Sequence, residues 1–478
     1  MTFANAPTNF RNNRENTMKE NSISNRPLVI LAYPRISYEE NYMCTWLPYS
    51  VLYIADALRS QNLVDVIVYD ANRRQKQTFD LLVKENAHRL LAVGFSIMTG
   101  GGQIKHALSM AECVKENAPD AVRMFGGPHV NVLPKQTCQH PLVSFVTVGP
   151  GQFIVPQIVK ALLDNTTLAD IPGVWHKNAN GVVCASEPFS LSWDADGLHH
   201  WDKIDATDYI QDDDLLGKRT LNYISSFGCC YRCRFCYEQQ YGRKYHAIPA
   251  EKVISDVMGL VTDYNLTGMK FYDADFFVNL KRAEQIYTAM AHSGREIAWA
   301  ASIHPRDILR LVKDDKDAMK RMAEYGCKRL LMGVESGDPR VLKDVVNKLV
   351  TQEEIMSAAR AIDEAGIRGA YTFIIGFPGE SKEEKRHTED FAMKLAILPT
   401  SPEVRFHGFA PYPGTPMYDD AVADGFKEPQ NLEEWSRFDY YNMHTPWLTA
   451  EDEEFIQEWS KVTGRRMIEH ASKKAAGA

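Results

Sequence analysis

The sequence predicts an α/β protein made of two parallel-sheet units in series and a helical C-terminal segment. Three observations predict it. Short apolar runs alternate with stretches of helical period through most of the 478 residues, as strands paired in parallel and covered by helices require. Glycines and polar residues gather where the apolar runs stop, the end at which such sheets bind ligands. A chain of this length also needs more than one core.

Residues 1–26 are polar and asparagine-rich, and they predict a disordered tail rather than a signal peptide. The first unit spans 27–185. Leu28–Tyr33 is a continuous apolar run, as a buried parallel strand would be. Leu47–Leu58 has helical period, with Pro48 tolerated in a first turn. Val64–Tyr69 is a second strand ending at Asp70, and Leu90–Ser96 a third that runs on into Ile97-Met98. After a helix over Gln103–Lys115, strand Ala121–Phe125 ends in Gly126-Gly127-Pro128-His129. Strand Val143–Val148 ends in Gly149-Pro150-Gly151. This alternation predicts a doubly wound, Rossmann-like sheet. A helix from residue 152 and a small β-rich connection (Ile171–Trp175, Gly181–Val183) complete it, and residues 186–217, acidic around Trp193–Asp196, read as a linker.

The second unit, 218–425, alternates again. Strand Leu221–Ser225 runs straight into a cysteine-rich loop, and a helix over Ala250–Leu260 follows. Later strands end at Asp273-Ala274-Asp275, Ser302, Glu335-Ser336-Gly337-Asp338 and Gly376-Phe377-Pro378-Gly379. The last, Glu403–His407, precedes a proline-rich turn. Residues 426–478 read as helical. Trp435, Tyr440, Tyr441, Trp447 and Trp459 there are read as packing aromatics, and Arg465 and Arg466 suit a helix C-terminus.

The loop carries the chemistry. Cys229, Cys233 and Cys236 have the spacing C-x3-C-x2-C, with Phe235 before the last. Structural zinc takes four ligands, and the nearest following histidine is His246. Three thiolates on one loop suit three corners of a [4Fe–4S] cube whose fourth iron stays open, whereas electron-transfer clusters take four cysteines. Cys230 breaks the spacing. Cys44, Cys113, Cys138, Cys184 and Cys327 are scattered and read as small buried apolar residues.

This motif resembles that of the radical S-adenosylmethionine (SAM) superfamily. The sheet ahead of it resembles the cobalamin-binding domain that precedes many radical SAM cores. The resemblance implies a partial (β/α)6 barrel over 218–425. It implies that Cys229, Cys233 and Cys236 hold the cluster, and that SAM chelates the fourth iron. Phe235 would pack near the adenine, Asp273 and Asp275 would meet the SAM amino group, and Ser302 its carboxylate. Glu335 would bond the ribose, and the Gly376 turn would shape the adenine site. Ser96, Met98, Gly126, Gly127, Gly149 and Gly151 would line the cobalamin cleft. The Asp-x-His-x-x-Gly motif that supplies a histidine to cobalt is absent, so His129 is expected as a cleft residue rather than a cobalt ligand. Gly149-Pro-Gly-Gln152 stands where relatives have Gly-Glu-Gly-Glu.

The implied function is methylation of an unactivated carbon, or of phosphinate phosphorus, through a 5′-deoxyadenosyl radical and methylcobalamin. Dehydration, ring contraction and oxidative cyclisation belong to the same architecture, and a cobalamin or redox sensor is the non-enzyme alternative. Implied partners are a small-molecule or natural-product substrate and an electron donor such as flavodoxin or ferredoxin. A net charge of −8 argues against a general nucleic-acid binder. No apolar run approaches the ~20 residues of a membrane helix. An odd count of nine cysteines without a secretory apolar segment points to a reducing cytoplasm.

Overall fold

The computed structural model describes residues 25–38, 46–190, 197–241, 244–438 and 445–459. Most of the expected tail, Cys44, Trp193–Asp196, Tyr440, Tyr441, Arg465 and Arg466 lie outside the described residues.

In the first sheet, five parallel strands run in the order β2-β1-β3-β4-β5. They are β1 (Leu28–Tyr33), β2 (Asp65–Asp70), β3 (Leu90–Ser96), β4 (Val122–Gly126) and β5 (Phe145–Thr147). This is a doubly wound order, whose ligand crevice opens at the carboxyl ends. All six residues of β1 are buried, since helices cover both its faces. Antiparallel β6 (Val174–Lys177) and β7 (Val183–Ala185) extend the edge beyond β5, as the β-rich connection predicts.

The second sheet carries six parallel strands: β9 (Gly217–Tyr223), β12 (Gly268–Phe271), β13 (Ala298–Ser302), β14 (Cys327–Glu335), β15 (Arg368–Ile375) and β16 (Glu403–Gly408). The order runs from β9 to β16 without closing, so the barrel is partial. Two features were not anticipated. Short β8 (Gln211–Asp213) pairs antiparallel with β9, and β10 (Ser226–Phe227) pairs with β11 (His246–Ala247) across the cysteine loop. Strands of two or three residues show no periodicity in a sequence.

The hydrophobic cores cross the unit boundary. Leu47, Tyr49 and Leu52 pack in the barrel's core. Conversely Phe409, Met417, Phe426, Leu432, Trp435 and Phe438 pack with Ile97, Ile104 and Ala107 of the first unit. The described C-terminal part holds a short helix, Leu432–Trp435, and a helix over 450–459. This swap of apolar residues fixes the carboxyl ends of the two sheets against one cavity.

Candidate functional site

The cavity has a volume of about 810 Å3 and lies between the two sheets. Its first wall is built from backbone. Gly126 ends β4, where an added Cβ would stand 2.7 Å from Thr147 Oγ1. Gly127 has φ +98°, and a Cβ there would meet Ile97 O at 2.8 Å and Ile97 N at 2.9 Å. That crowding follows from the bonds Ile97 N→Gly126 O and His129 N→Ile97 O, which draw the two turns together. Gly149, at φ +114°, donates its N–H to Asn131 Oδ1, and a Cβ on Gly151 would collide with Ile54. Ser96 Oγ donates to Ser50 Oγ at 2.8 Å. Only residues without side chains bring backbone this close to a large ligand.

Two expected cleft residues stand elsewhere. Met98 is 44% exposed and does not line the cavity. His129 is fully buried, edge-on to Trp435 at 5.5 Å, and only its neighbour Pro128 reaches the cavity. The chain turns into a short helix at Pro128 and carries the ring under the C-terminal segment, where burial lowers its pKa to about 3.

The opposite wall carries the cysteine loop, whose flanks Gly228, Tyr237 and Glu238 line the cavity. Tyr237 donates its hydroxyl to Pro128 O at 3.1 Å, tying the loop to the glycine turn. On the other side Arg234 N donates to Val346 O, and Asn347 Nδ2 to Arg232 O. Burial pushes the Cys229 and Cys236 thiols up to about 12 and raises Cys233. Thiols so placed become good ligands only when a metal displaces their protons. Among the described residues no group of three or more His, Cys, Asp or Glu side chains is drawn together as a metal site, and this includes the three loop cysteines.

Around the loop the strand ends divide into braces and open groups. Asp273 is buried and accepts from Ser225 Oγ at 2.8 Å, from Ser226 Oγ and from Ser225 N. It braces the stem of the loop, and its oxygens are spent there rather than offered to an amino group. Asp275 differs. Its Oδ1 accepts from Phe277 N at 2.9 Å, while among the described residues no donor meets its buried Oδ2. Burial and the neighbouring Asp307 carboxyl raise its pKa. His304, stacked on Tyr231 at 3.5 Å, likewise leaves Nε2 buried with no hydrogen-bond partner among the described residues. Ser302 ends β13, half-buried. Orphaned buried polar atoms beside the thiols fit a polar ligand with its own donors and acceptors.

Glu335 sits at φ +70°, a conformation costing an L-residue about 1–2 kcal/mol. Its carboxylate accepts from Lys348 Nζ at 3.1 Å, and both side chains are buried. Lys348 was not foreseen in the sequence. Desolvation opposes its charge, but Glu335 and the Cys233 and Cys236 sulfurs beside it outweigh that and raise its pKa. The available signal was Lys348's place thirteen residues past Glu335, in a loop with no apolar period.

Phe235 meets Phe377 at 6.2 Å, which joins the cysteine loop to the Gly376 turn. Gly376 has φ +81° and lies directly under Leu448. Glu380 closes that turn, accepting from Gly376 N at 2.6 Å and Phe377 N at 3.2 Å.

Comparisons with known proteins agree with this geometry. Residues 223–392 match the radical SAM superfamily, and residues 42–159 match the B12 binding domain. An uncharacterized methyltransferase of Pyrococcus horikoshii is 28% identical over 396 residues, 82% of each chain. The anaerobic magnesium-protoporphyrin IX monomethyl ester cyclase of Cereibacter sphaeroides is 25% identical over 410 residues, 84% of this chain and 63% of that one. The fold is that of the radical SAM methyltransferase TsrM from Kitasatospora setae, solved with cobalamin and a [4Fe–4S] cluster. The TM-score is 0.68 and the identity 16%, over 92% of this chain and 89% of that one. No helix among the described residues is long and apolar enough to cross a membrane. A three-cysteine loop at a partial barrel, faced by a glycine-lined doubly wound sheet, thus gives this chain a radical SAM domain and a B12 binding domain in series, a pair of domains that takes a [4Fe–4S] cluster, SAM and cobalamin.

Proposed function

We propose that this chain is a methyltransferase that places a SAM-derived methyl group on an unactivated carbon of a small molecule held between its two sheets. The observation that carries the reading is the shared cavity, in which the glycine wall faces Gly228, Tyr237 and Glu238 at the two ends of the cysteine loop. When bound, the cluster, SAM and cobalamin supply the one-electron chemistry and the methyl donor that side chains lack.

The chain's own residues bind, orient and shield. Cys229, Cys233 and Cys236 hold the cluster. Asp275 Oδ2, buried without a partner, offers an acceptor to the SAM ammonium. Lys348, fixed by Glu335, presents the remaining donors of its ammonium to an anionic group such as the SAM carboxylate. Phe235 and Phe377 offer apolar faces to the adenine, and Leu448 above Gly376 keeps water from that side. Gly126, Gly127, Gly149 and Gly151 leave room for cobalamin against the first sheet. Opposed in this way, the two binding surfaces bring the SAM region and the cobalamin region within reach of one substrate.

The test is incubation of the anaerobically reconstituted protein with methyl-deuterated SAM, a reductant and candidate substrates. Labelled product with 5′-deoxyadenosine and S-adenosylhomocysteine in equal amounts is expected, and NMR of the product distinguishes carbon from phosphorus as the acceptor. Formation of 5′-deoxyadenosine with no labelled product and no S-adenosylhomocysteine would instead mean dehydration, rearrangement or cyclisation.

A further inference from the structure

One edge of the cavity carries basic side chains that the cluster, SAM and cobalamin assignments leave unused. The chain leaves the cysteine loop through β11, whose His246 pairs with Phe227 of β10. His246 and Lys244, just ahead of β11, both line the cavity. Desolvation lowers the His246 pKa, and the nearby Lys244 ammonium lowers it further. Lys244 is exposed and forms no ion pair among the described residues. Glu238, the one acidic side chain of the lining among the described residues, is held at the foot of the loop by the Gly228 N–H. Beside the basic pair stands an uncovered ring. Tyr272, one residue past β12, lines the cavity and is 40% exposed, edge-on at 6.0 Å to Trp46, itself 44% exposed. One braced piece of backbone carries ring and basic pair together. Asp273, next to Tyr272, accepts from Ser225 Oγ and Ser226 Oγ, and Ser226 pairs with Ala247, next to His246. Large apolar side chains left uncovered beside a cavity mark a binding surface. The rest of the lining offers no countercharge to an anion. The first sheet contributes no charged side chain among the described residues, and Lys348 is not part of the lining.

We propose that this edge is the substrate subsite, and that it takes a small molecule in which an oxyanion (a carboxylate, phosphate or phosphonate) adjoins a flat apolar portion. Lys244 and His246 hold the anion, and Tyr272, backed by Trp46, holds the flat portion. The proposal rests on the methyl-transfer reading and names its substrate class. An ammonium donates charge-assisted hydrogen bonds to an oxyanion, and an imidazole N–H adds another. An aromatic ring supplies contact area at little conformational cost. The chain as a whole carries a net charge of −8, so an anion is drawn to the cavity only by a local positive charge. Anchoring at one edge also orients the molecule. With its charge held on the barrel side, the apolar portion is the part that extends toward the uncharged glycine wall. Binding energy from a group remote from the reaction thereby positions the carbon to be methylated.

The test reads binding without turnover, so it can fail while methyl transfer stands. The cluster- and cobalamin-loaded protein, with SAM present and no reductant, is titrated with phenylacetate, benzylphosphonate and the neutral phenylacetamide. Binding is followed by saturation-transfer NMR of the probes. At least one of the anions should bind about fivefold tighter than the amide, as an exposed ion pair allows, and the tighter anion separates carboxylate from phosphonate and phosphate substrates. The double variant Lys244→Met/His246→Gln should bring that anion down to the level of the amide. The amide's own affinity, the iron content and the cobalamin content should be unchanged. Tyr272→Ala should weaken all three probes by a similar factor. Equal affinities in the unaltered protein, or no binding of any probe, would overturn the proposal. So would a preference for the anion that survives the double variant. Loss of cobalamin from that variant would overturn it too, since the two basic side chains would then serve the cofactor.

Discussion

The two walls of the cavity achieve recognition by opposite means. Among the described residues, none that the first sheet and its helices contribute to the cavity carries a charge; their turns offer Ser96, Gly126, Gly127, Thr147 and Gly149. That wall selects by shape, through Cβ atoms that are missing. The barrel side instead brings Glu238, Lys244 and His246 to the cavity, and its strand ends and the segments that follow them bury Asp273, Asp275, Asp307, Glu335 and Lys348. A buried charge is costly unless it is paired, so each is either committed to a partner or left open for a ligand. A shape-selecting wall tolerates polar substitution but not bulk. A charge-selecting wall tolerates bulk poorly and loss of a charge worse.

Four changes break or sharpen this contrast. The largest effect belongs to replacing Cys229, Cys233 and Cys236 together by Ala. Iron binding and the brown chromophore should vanish, while cobalamin retention on the first sheet persists; iron content unaltered by the change would refute the ligand assignment. Next is Lys348→Met, which leaves the Glu335 carboxylate buried and unpaired. Breaking such a pair costs about 3–5 kcal/mol, read by denaturant unfolding, and restoring neutrality with Glu335→Gln in the same chain should recover part of it. If Lys348→Met is neutral, the pair is not a structural element of the barrel wall.

On the shape-selecting side, Gly126→Leu puts a side chain into the cavity beside Thr147. Cobalamin retention after desalting should drop roughly tenfold, about 1.4 kcal/mol, with iron content unchanged. Retention equal to wild type would place cobalamin elsewhere. The smallest effect is a pH dependence. Burial, opposed by two backbone amides, lifts the Glu380 carboxyl from 4.5 to about 7. Between those values the folded protein keeps a proton that the unfolded chain has released. Stability should therefore fall as pH rises from about 4.5 to about 7 and level off above it. Glu380→Gln should flatten that slope, and an unchanged pH profile would show that Glu380 titrates normally.

Much of the frame was legible because strands paired in parallel and buried on both faces must be continuous apolar runs. β1 and β3 begin and end where the sequence predicts, and the six parallel barrel strands fall within a few residues of their expected positions. The cysteine spacing was equally plain, since a candidate ligand set is read from residue type and spacing and needs no tertiary detail. What the sequence could not supply was the direction in which a strand-end residue points. Asp273 and Asp275 stand two apart with the same chemistry, yet one is consumed by Ser225 and Ser226 while the other keeps a free oxygen. His129 follows the glycine pair, but Pro128 starts a helix that turns its ring beneath Trp435, more than three hundred residues away in the chain.

By itself, then, the sequence determined the order of elements, the glycine turns and the thiol spacing, because each is a local consequence of backbone sterics or ligand number. Only the tertiary structure decided which polar groups are braces and which are open. It alone brought Lys348 to Glu335 and set the two walls face to face, because those outcomes depend on pairing buried charges and apolar surface between segments distant in sequence.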